Sequence, residues 1–395
     1  MKILIVGESY EPQKCGMTTV TKYLAEGLVK KGHRVTMVTC RYDPLSPSHE
    51  IINGVSVYRF QLSLSLLKRP KGQIKEYLSF VLGQKADAVV VECFGSVTSD
   101  VLFPHLDEIT APKILHSHGD SFKSLRLFAS KHDLKHTLGN TFNYINLLIK
   151  REGFFKKWIS HFDRVILLSK VASDIEIIKK AGMKYDILEN ACDNMFFDYA
   201  DGLKTIKQGR ENVVGYMISI ANYTPVKNQL MMVKAYYDSN VTDVKLVLIG
   251  SRKNEYYELV EKYVKEQSVN HPNKFVEMLY GIDRESLPRM LSNASLYLVT
   301  STFEEYSISI IEAMSLGIPF LSTNAGNARI LPGGKTVYSY EEYVSSMNEI
   351  MSSSSLRDEY SQEGRAYADT HCRISVAVEN FERYLNDTIN EKSCN

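Results

Sequence analysis

The chain has 395 residues, 44% hydrophobic and 24% charged, with a formal net charge of +1. That length exceeds one ordinary core and suits two domains of roughly 180 residues each. The near-neutral charge excludes a global drive toward nucleic acid or anionic lipid, so any basic patch must be local. Cys15, Cys40, Cys93, Cys192, Cys372 and Cys394 form no Cys-x-x-Cys pair. Their spacing argues against a zinc site or a disulfide framework and fits a reducing compartment. The apolar run at Lys2–Val6 is too short for a signal peptide and reads as a strand. No stretch is long and apolar enough to span a bilayer. The expected location is cytoplasmic, with peripheral contact at the inner face of the membrane left open.

Along the first half, strands are expected at Lys2–Val6, Arg34–Thr39, Ser56–Arg59, Ala88–Glu92, Lys113–His118 and Arg164–Leu168. Helices are expected at Thr18–Lys31, Gln73–Leu82 and Ser173–Lys180. Continuous apolar strands with helical crossovers imply a parallel sheet covered on both faces. Residues 119–162 read as mostly helical. The stretch 196–212 loses apolar periodicity, and its C-terminal part reads as an interdomain linker. A second α/β unit follows, with strands at Val214–Ile220, Lys245–Ile249, Phe275–Glu277, Leu296–Val299 and Pro319–Ser322. Its helices are expected at Asn228–Tyr237, Asn254–Gln267 and Arg284–Ser292, and residues 341–390 read as helical with a Ser-rich break at 352–355.

The segment 300-TSTFEEYSISIIEAMSLGIPFLSTNAGN-327 carries the most chemistry. Glu304 falls in the loop at the carboxyl end of one apolar strand, and Glu312 on the helix that follows, Ser309–Leu316, closed by Gly317. That edge of an open α/β sheet is where ligands bind. Glu312 is flanked by Ile310, Ile311, Ala313 and Met314, so its carboxylate needs hydrogen-bond donors, which ligand hydroxyls would supply. Taken alone, it also reads as a partly exposed helix residue.

Ser301, Glu304, Tyr306, Ser307, Glu312, Ala313, Gly317 and Pro319 together resemble the Glu-x7-Glu signature of retaining, nucleotide-sugar-dependent glycosyltransferases of family 4. The resemblance implies an α/β chain of the GT-B fold: two Rossmann-like, doubly wound parallel-sheet domains with an interdomain cleft. It places an acceptor-side domain at 1–204, a nucleotide-sugar donor domain at 205–371, and a C-terminal helix, 372–395, packing back on the first. It implies that Glu312 holds the donor ribose hydroxyls and Glu304 touches the transferred sugar. Backbone amides around Glu305, Tyr306 and Ser307 would approach sugar and phosphate.

Other segments resemble the same family in the same order. In 10-YEPQKCGMTTVTKYLAEGLVKKGHRVTMVT-39, Gly16 precedes a helix start where phosphate is favoured. An ordinary strand–helix turn is the other reading. His118, in 116-HSHGDS-121, matches a position where a His contacts the donor sugar. His116 lies two residues back on the same face, which leaves a His-x-His metal site as a rival idea without a third ligand in view. His132 and His136 read as a solvated helix face. The segment 187-ILENACD-193 reads as structural. In 218-ISIANYTPVKNQL-230, Lys227 matches the family's diphosphate lysine, while Asn222 stands where the family has Arg. Gly250 ends a strand, and Ile282, after Gly281, would meet the nucleotide base through its backbone. The catalytic set implied is Glu304, His118 and Lys227. No Asp-x-Asp is present, so no metal or other cofactor is expected, and cations with helix dipoles would steady the leaving diphosphate.

Residues 144-YINLLIKREGFFKKWISHF-162 mix basic and aromatic groups. They fit either an anionic membrane surface or an ordinary helix with Trp158 in the core. The expected activity is a metal-independent, retaining hexosyltransferase acting on a glycan, lipid-linked or other hydroxyl acceptor in cell-surface polysaccharide or glycoconjugate synthesis. Its expected partners are a nucleotide sugar and that acceptor, not nucleic acid. A GT-B sugar-nucleotide epimerase, a glycoside phosphorylase and a non-catalytic glycan-binding protein stand as alternatives. The segment 7-GESYEPQKCG-16 is not Gly-x-Gly-x-x-Gly, which argues against a dinucleotide oxidoreductase.

Overall fold

Sixteen strands are distributed over two Rossmann-like units in the computed structural model, which describes residues 1–13, 16–65, 69–119, 149, 153, 157–206 and 215–394. One unit is Met1–Glu189 with Ile374–Asn395, and the other is Asn190–Arg373. Among the described residues no helix is long and apolar enough to cross a membrane.

The first unit is built on β1 (Lys2–Val6), β2 (Arg34–Cys40), β3 (His49–Ile52), β4 (Val55–Phe60), β7 (Ala88–Glu92), β8 (Lys113–Ser117), β9 (Arg164–Leu167) and β10 (Tyr185–Ile187). Their order is β10-β9-β8-β7-β1-β2-β4-β3, parallel except for the β3–β4 pair. The short strands β5 (Leu62–Leu64) and β6 (Pro70–Gly72) form a separate antiparallel pair. The central strands are apolar on both faces, and β7 and β8 are buried at every residue, as a sheet covered by helices demands. The β3–β4 hairpin was not expected from periodicity. Its signal is Asn53-Gly54, both at positive φ (48° and 84°), the dipeptide of a tight two-residue hairpin.

The helix Gly16–Lys30 starts two residues earlier than the sequence suggests and packs on the final helix, Ile374–Ser393. A Cβ on Gly27 would lie 2.3 Å from a Val378 methyl, so glycine permits this close approach. Glu382 accepts from Lys31 and pairs with His33, both at 2.7 Å, and Lys392 reaches Asp163 at 3.0 Å. The final helix thus belongs to the first unit.

The second unit carries β11 (Tyr216–Ile220), β12 (Leu246–Gly250), β13 (Val276–Tyr280), β14 (Ala294–Val299), β15 (Phe320–Thr323) and β16 (Gly334–Val337), all parallel in the order β13-β12-β11-β14-β15-β16. Helices Gln229–Asp238, Glu255–Ser268, Leu287–Ser292, Ile308–Ser315, Tyr340–Ser352 and Ser354–His371 connect or follow them. β16 is only four residues long and has no apolar run, which is why periodicity missed it.

The first part of the stretch 196–212 is helical, and the C-terminal part read as a linker is described only as far as residue 206. Residues Asn194–Ile206 form a helix of the second unit. Phe196 and Phe197 are fully buried in it, and the Arg365 and Arg373 guanidinium groups lie 5.5 and 4.2 Å from the Phe197 ring. These aromatic anchors outweigh the polar composition that suggested a loop. The unit boundary falls at 189/190, ahead of the 204/205 position expected. The segment 207–214, most of residues 144–156, and His132 and His136 lie outside the described residues. Of the basic aromatic stretch, Trp158 is half-buried against the first core, with Lys157 Nζ 4.5 Å from its ring.

Candidate active site

β14 delivers the loop that carries Glu304, and two hydroxyl groups and one amide hold that loop. Thr300 Oγ1 donates to the carbonyls of Lys227 and Asn228 at 3.0 and 2.9 Å. The Thr302 amide donates to Val226 O at 2.8 Å, and Thr323 Oγ1 to Ser301 O at 2.6 Å. The Thr300 and Thr302 bonds tie the end of β14 to the turn before the helix Gln229–Asp238, and the Thr323 bond ties it to the end of β15. Lys227 stands in that turn, its amide donating to Thr224 O at 3.0 Å. The result is a charged contact: Lys227 Nζ donates to Glu304 Oε1. Ser301 Oγ donates to the same oxygen at 2.7 Å. Glu304 is 12% exposed and Lys227 31% at the side chain, so the pair faces solvent on the lysine side. Gly326, at φ +57°, lies against this loop, and a Cβ there would meet Glu304 O at 2.9 Å and its Cβ at 2.8 Å. Only glycine allows this approach.

Glu312 lies on the helix Ile308–Ser315 between fully buried Ile311 and Ala313 and is itself 4% exposed. Such burial pushes its carboxyl up from the ordinary range, and Arg284 opposes the rise. Arg284 Nη2 donates to Glu312 Oε1 at 2.6 Å. The guanidinium also lies 5.4 Å from the Phe196 ring, with Nε 3.9 Å from Asp193. Arg284 is the functional candidate that sequence reasoning missed. It sits two residues beyond Ile282, in a polar turn where nothing in the linear pattern singles it out.

The remaining candidates of this unit divide by what occupies them. Asn222 is exposed, and its carbonyl accepts from Gln229 Nε2 at 3.0 Å. Ile282 is half-buried after Gly281, whose amide donates to Gly250 O at 3.1 Å. Gly250 has a packing reason of its own. A Cβ there would lie 2.3 Å from the Tyr223 ring, whose hydroxyl donates to Leu248 O and Leu279 O at 3.0 and 3.1 Å. Glu305 is half-buried and Tyr306 buried. The Ser307 amide differs from expectation. It donates to Asn327 Oδ1 at 2.7 Å, inside the protein, instead of facing a ligand. Ser307 precedes a helix and supplies no side-chain cap, so Asn327 satisfies an otherwise orphaned donor.

His118 and Gly16 belong to the first unit. Gly16 is exposed at the first turn of its helix, and nothing lies within 4 Å of where its Cβ would be. The protein itself therefore does not require glycine there. His118 follows β8, and its Nε2 lies 2.7 Å from Glu92 Oε2. His116 Nδ1 lies 3.0 Å from the same oxygen. Glu92 thus supplies the third group that the His-x-His motif lacked in the sequence. The three could ligate a metal ion, since their ligand atoms lie within 4.8 Å of one another. Full burial raises the Glu92 carboxyl, but the two imidazoles hold it down to about 2. Burial pushes His118 down, as does His116, and Glu92 opposes both. The register of β7 on β8, Glu92 opposite His116, makes this meeting and is invisible in a linear pattern.

Comparison with known proteins adds two family matches in chain order: a "Glycosyl transferase 4-like domain" over residues 15–146 and "Glycosyl transferases group 1" over residues 205–367. An uncharacterized glycosyltransferase, MJ1607 of Methanocaldococcus jannaschii, is 23% identical over 359 residues, covering 82% of this chain and 81% of that protein. The GPI3 subunit of phosphatidylinositol N-acetylglucosaminyltransferase of Saccharomyces cerevisiae is 22% identical over 364 residues, covering 87% and 73%. Among solved structures, sucrose-phosphate synthase from Thermosynechococcus elongatus superposes with a TM-score of 0.74 at 14% identity, over 99% of each chain.

Proposed function

The chain belongs to the GT-B glycosyltransferases of the family 4 type, and from that premise we propose that it moves a hexose from a nucleoside-diphosphate sugar to an acceptor hydroxyl with retention of anomeric configuration. The observation that carries this reading is the loop and helix after β14. There Glu304 pairs with Lys227, and Glu312 with Arg284. In the proposed mechanism Glu312, paired with Arg284, accepts hydrogen bonds from the ribose hydroxyls. Lys227 turns from Glu304 to the diphosphate and offsets the charge that develops as the glycosidic bond breaks. Glu304, released from Lys227 and oriented by Ser301, accepts from the sugar hydroxyls. His118, which matches the family's donor-sugar histidine, is read on its own motif as a polar contact to the donor sugar. With Asn222 at the usual arginine position, Lys227 supplies the main diphosphate charge, and no metal ion is required. A glycan or lipid-linked acceptor in cell-surface polysaccharide or glycoconjugate synthesis fits this chemistry. The name of the yeast relative, which specifies phosphatidylinositol, supports the lipid-linked option.

The test is a panel of nucleotide sugars incubated with the protein, with and without candidate acceptors and with and without EDTA. Nuclear magnetic resonance of the product reads its anomeric configuration. Release of nucleoside diphosphate with a retained product in EDTA supports the reading. Activity lost in EDTA and restored by magnesium or manganese removes the metal-free mechanism. A donor whose sugar is epimerised but never transferred favours the epimerase instead.

A further inference from the structure

We propose that Glu92 is a positioning residue for His118: its carboxylate fixes the imidazole with hydrogen on Nε2 and leaves Nδ1 as the atom presented to the donor sugar. The proposal rests on the reading of His118 as a donor-sugar contact. Glu92 closes β7 and is 1% exposed, yet it is not the carboxylate of a surface ion pair. One oxygen, Oε2, pairs with His118 Nε2 in a 2.7 Å hydrogen bond and lies 3.0 Å from His116 Nδ1, a charge contact without hydrogen-bond geometry that leaves both His116 nitrogens without a hydrogen-bond partner among the described residues. The other, Oε1, is buried without a hydrogen-bond partner among the described residues. A buried carboxylate satisfied on one side only is costly, and an apolar residue would pack the end of β7 at less expense. A role that needs the charge accounts for its presence.

The backbone around the cluster holds both ends of this contact. Cys93, the residue after Glu92, has φ +63°, a conformation that a non-glycine residue adopts at a cost. Its amide donates to His116 O at 2.9 Å, which locks the end of β7 against β8. On the histidine side, Ser117 Oγ donates to buried Asp174, and the Gly119 amide donates to Ser117 Oγ at 3.3 Å. His118 therefore sits between two pinned residues, 11% exposed at its side chain. A neutral imidazole whose Nε2 meets a carboxylate must carry its hydrogen there, because two lone pairs would repel. Nδ1 is then free to accept from a sugar hydroxyl. When His118 is protonated, Nδ1 donates, and the Glu92 charge compensates the imidazolium. The 2.7 Å separation of His118 Nε2 from Glu92 Oε2 is that of a hydrogen bond. Two ligands of a tetrahedral zinc ion, each about 2.0–2.1 Å from the metal, would stand roughly 3.3 Å apart.

The experiment uses full-length protein labelled with nitrogen-15 in histidine, with the His118 ring assigned by comparison with His118→Gln. Long-range nitrogen–proton correlation reads the tautomer without any substrate. The expected result is an Nε2–H tautomer at His118 in the wild type that is no longer fixed in Glu92→Gln. In parallel, transfer kinetics of Glu92→Gln should show kcat lowered on the order of 10²-fold with the donor KM within about twofold. Circular dichroism and nucleoside-diphosphate affinity, expected unchanged, certify that this variant is folded. An Nδ1–H tautomer in the wild type overturns the proposal, as does an unchanged kcat in folded Glu92→Gln. So does one zinc ion per chain retained through dialysis and lost in Glu92→Gln, which would make the cluster a metal site. If His118→Ala keeps full transfer activity while the tautomer is as expected, the reading of His118 as a sugar contact fails. The functional half of the proposal fails with it, and the hold of Glu92 on the ring stands.

Discussion

In the first unit Glu92 shares one oxygen between two imidazoles and is 1% exposed; in the second, Glu304 and Glu312 each meet one cation whose side chain stays 31% or 45% exposed. These carboxylates are satisfied on different terms. The Glu92 partners are ring nitrogens fixed by strand register, and neither can turn away without leaving a buried charge. Lys227 and Arg284 hold their carboxylates through flexible side chains with water on one side. Lys227 can move to another anion at modest cost, because a partly exposed ion pair gains little over its hydrated components, whereas Arg284 can leave buried Glu312 only where another donor takes its place. The first arrangement suits orientation of a ring. The second suits exchange, in which a diphosphate takes a cation and a sugar takes the freed carboxylate.

The strongest way to break that contrast is Lys227→Ala. If Lys227 exchanges Glu304 for the leaving diphosphate, its loss should reduce transfer by about 10²–10³-fold, in line with removal of one preorganised charge donor. The same variant should lose most of its preference for nucleoside diphosphate over monophosphate, which calorimetry reads directly. Full activity in this variant would place the phosphate site elsewhere and leave the Lys227–Glu304 pair a surface contact.

The buried arrangement is probed by acid. Glu92 is held down to about 2 in the fold, against an ordinary value of 4.5. The unfolded chain therefore takes up this proton first as pH falls. The stability Glu92 contributes is present in full above about pH 4.5, and is lost as pH drops from there toward 2. The linkage bounds that contribution at on the order of 3 kcal/mol. Urea unfolding as a function of pH should show a component in this window that Glu92→Gln lacks. An equal pH slope in both proteins would mean that the two histidines do not hold the carboxylate ionised.

A loss of similar or smaller size separates the two carboxylates of the second unit. Glu312→Ala should weaken nucleoside-diphosphate binding by about 1.5–3 kcal/mol, the range for hydrogen bonds to a charged group. Glu304→Ala should instead lower turnover with little change in that affinity. Arg284→Ala is a finer cut. Burial already raises Glu312, and removing the guanidinium raises it further. Nucleotide affinity of that variant should fall off at a higher pH than in the wild type as pH is lowered, because a protonated Glu312 accepts less well from ribose. Wild-type affinity in Glu312→Ala would detach this residue from the nucleotide.

How much of this was legible beforehand follows from distance along the chain. The central strands, the crossover helices and the placing of Glu304 and Glu312 on one loop and one helix are local patterns, and the structure has them within three residues. Arg284 with Glu312 and Glu92 with His118 are separated by 28 and 26 residues, and each is set by strand register or loop path. No periodicity encodes them. Compositional reading failed at Asn194–Ile206 because two buried phenylalanines stacked by arginines outweigh its polar residues. Nor does a linear pattern show that Asn327 Oδ1 takes the Ser307 amide, since Asn327 is 20 residues away in the chain.

The smallest expected effect tests whether exchange at Lys227 compensates for the absent arginine. Asn222 is exposed, and its backbone carbonyl is held by Gln229, so the position itself is fixed while the side chain is not packed. An arginine there can extend without displacing core atoms. Asn222→Arg should leave the unfolding midpoint within about 0.5 kcal/mol, as for surface substitutions generally. If the diphosphate lies against this turn, the new guanidinium adds a bidentate donor and tightens nucleoside-diphosphate binding a few-fold, without a matching gain for the nucleoside. The gain should grow in Lys227→Ala, where the anion has lost its other partner, so the double variant should recover part of the lost affinity. Tightening that is equal for nucleoside and diphosphate would mean that the arginine contacts the base side. No rescue in the double variant would show that Asn222 and Lys227 do not face the same phosphate, and Lys227 would then act through Glu304 alone.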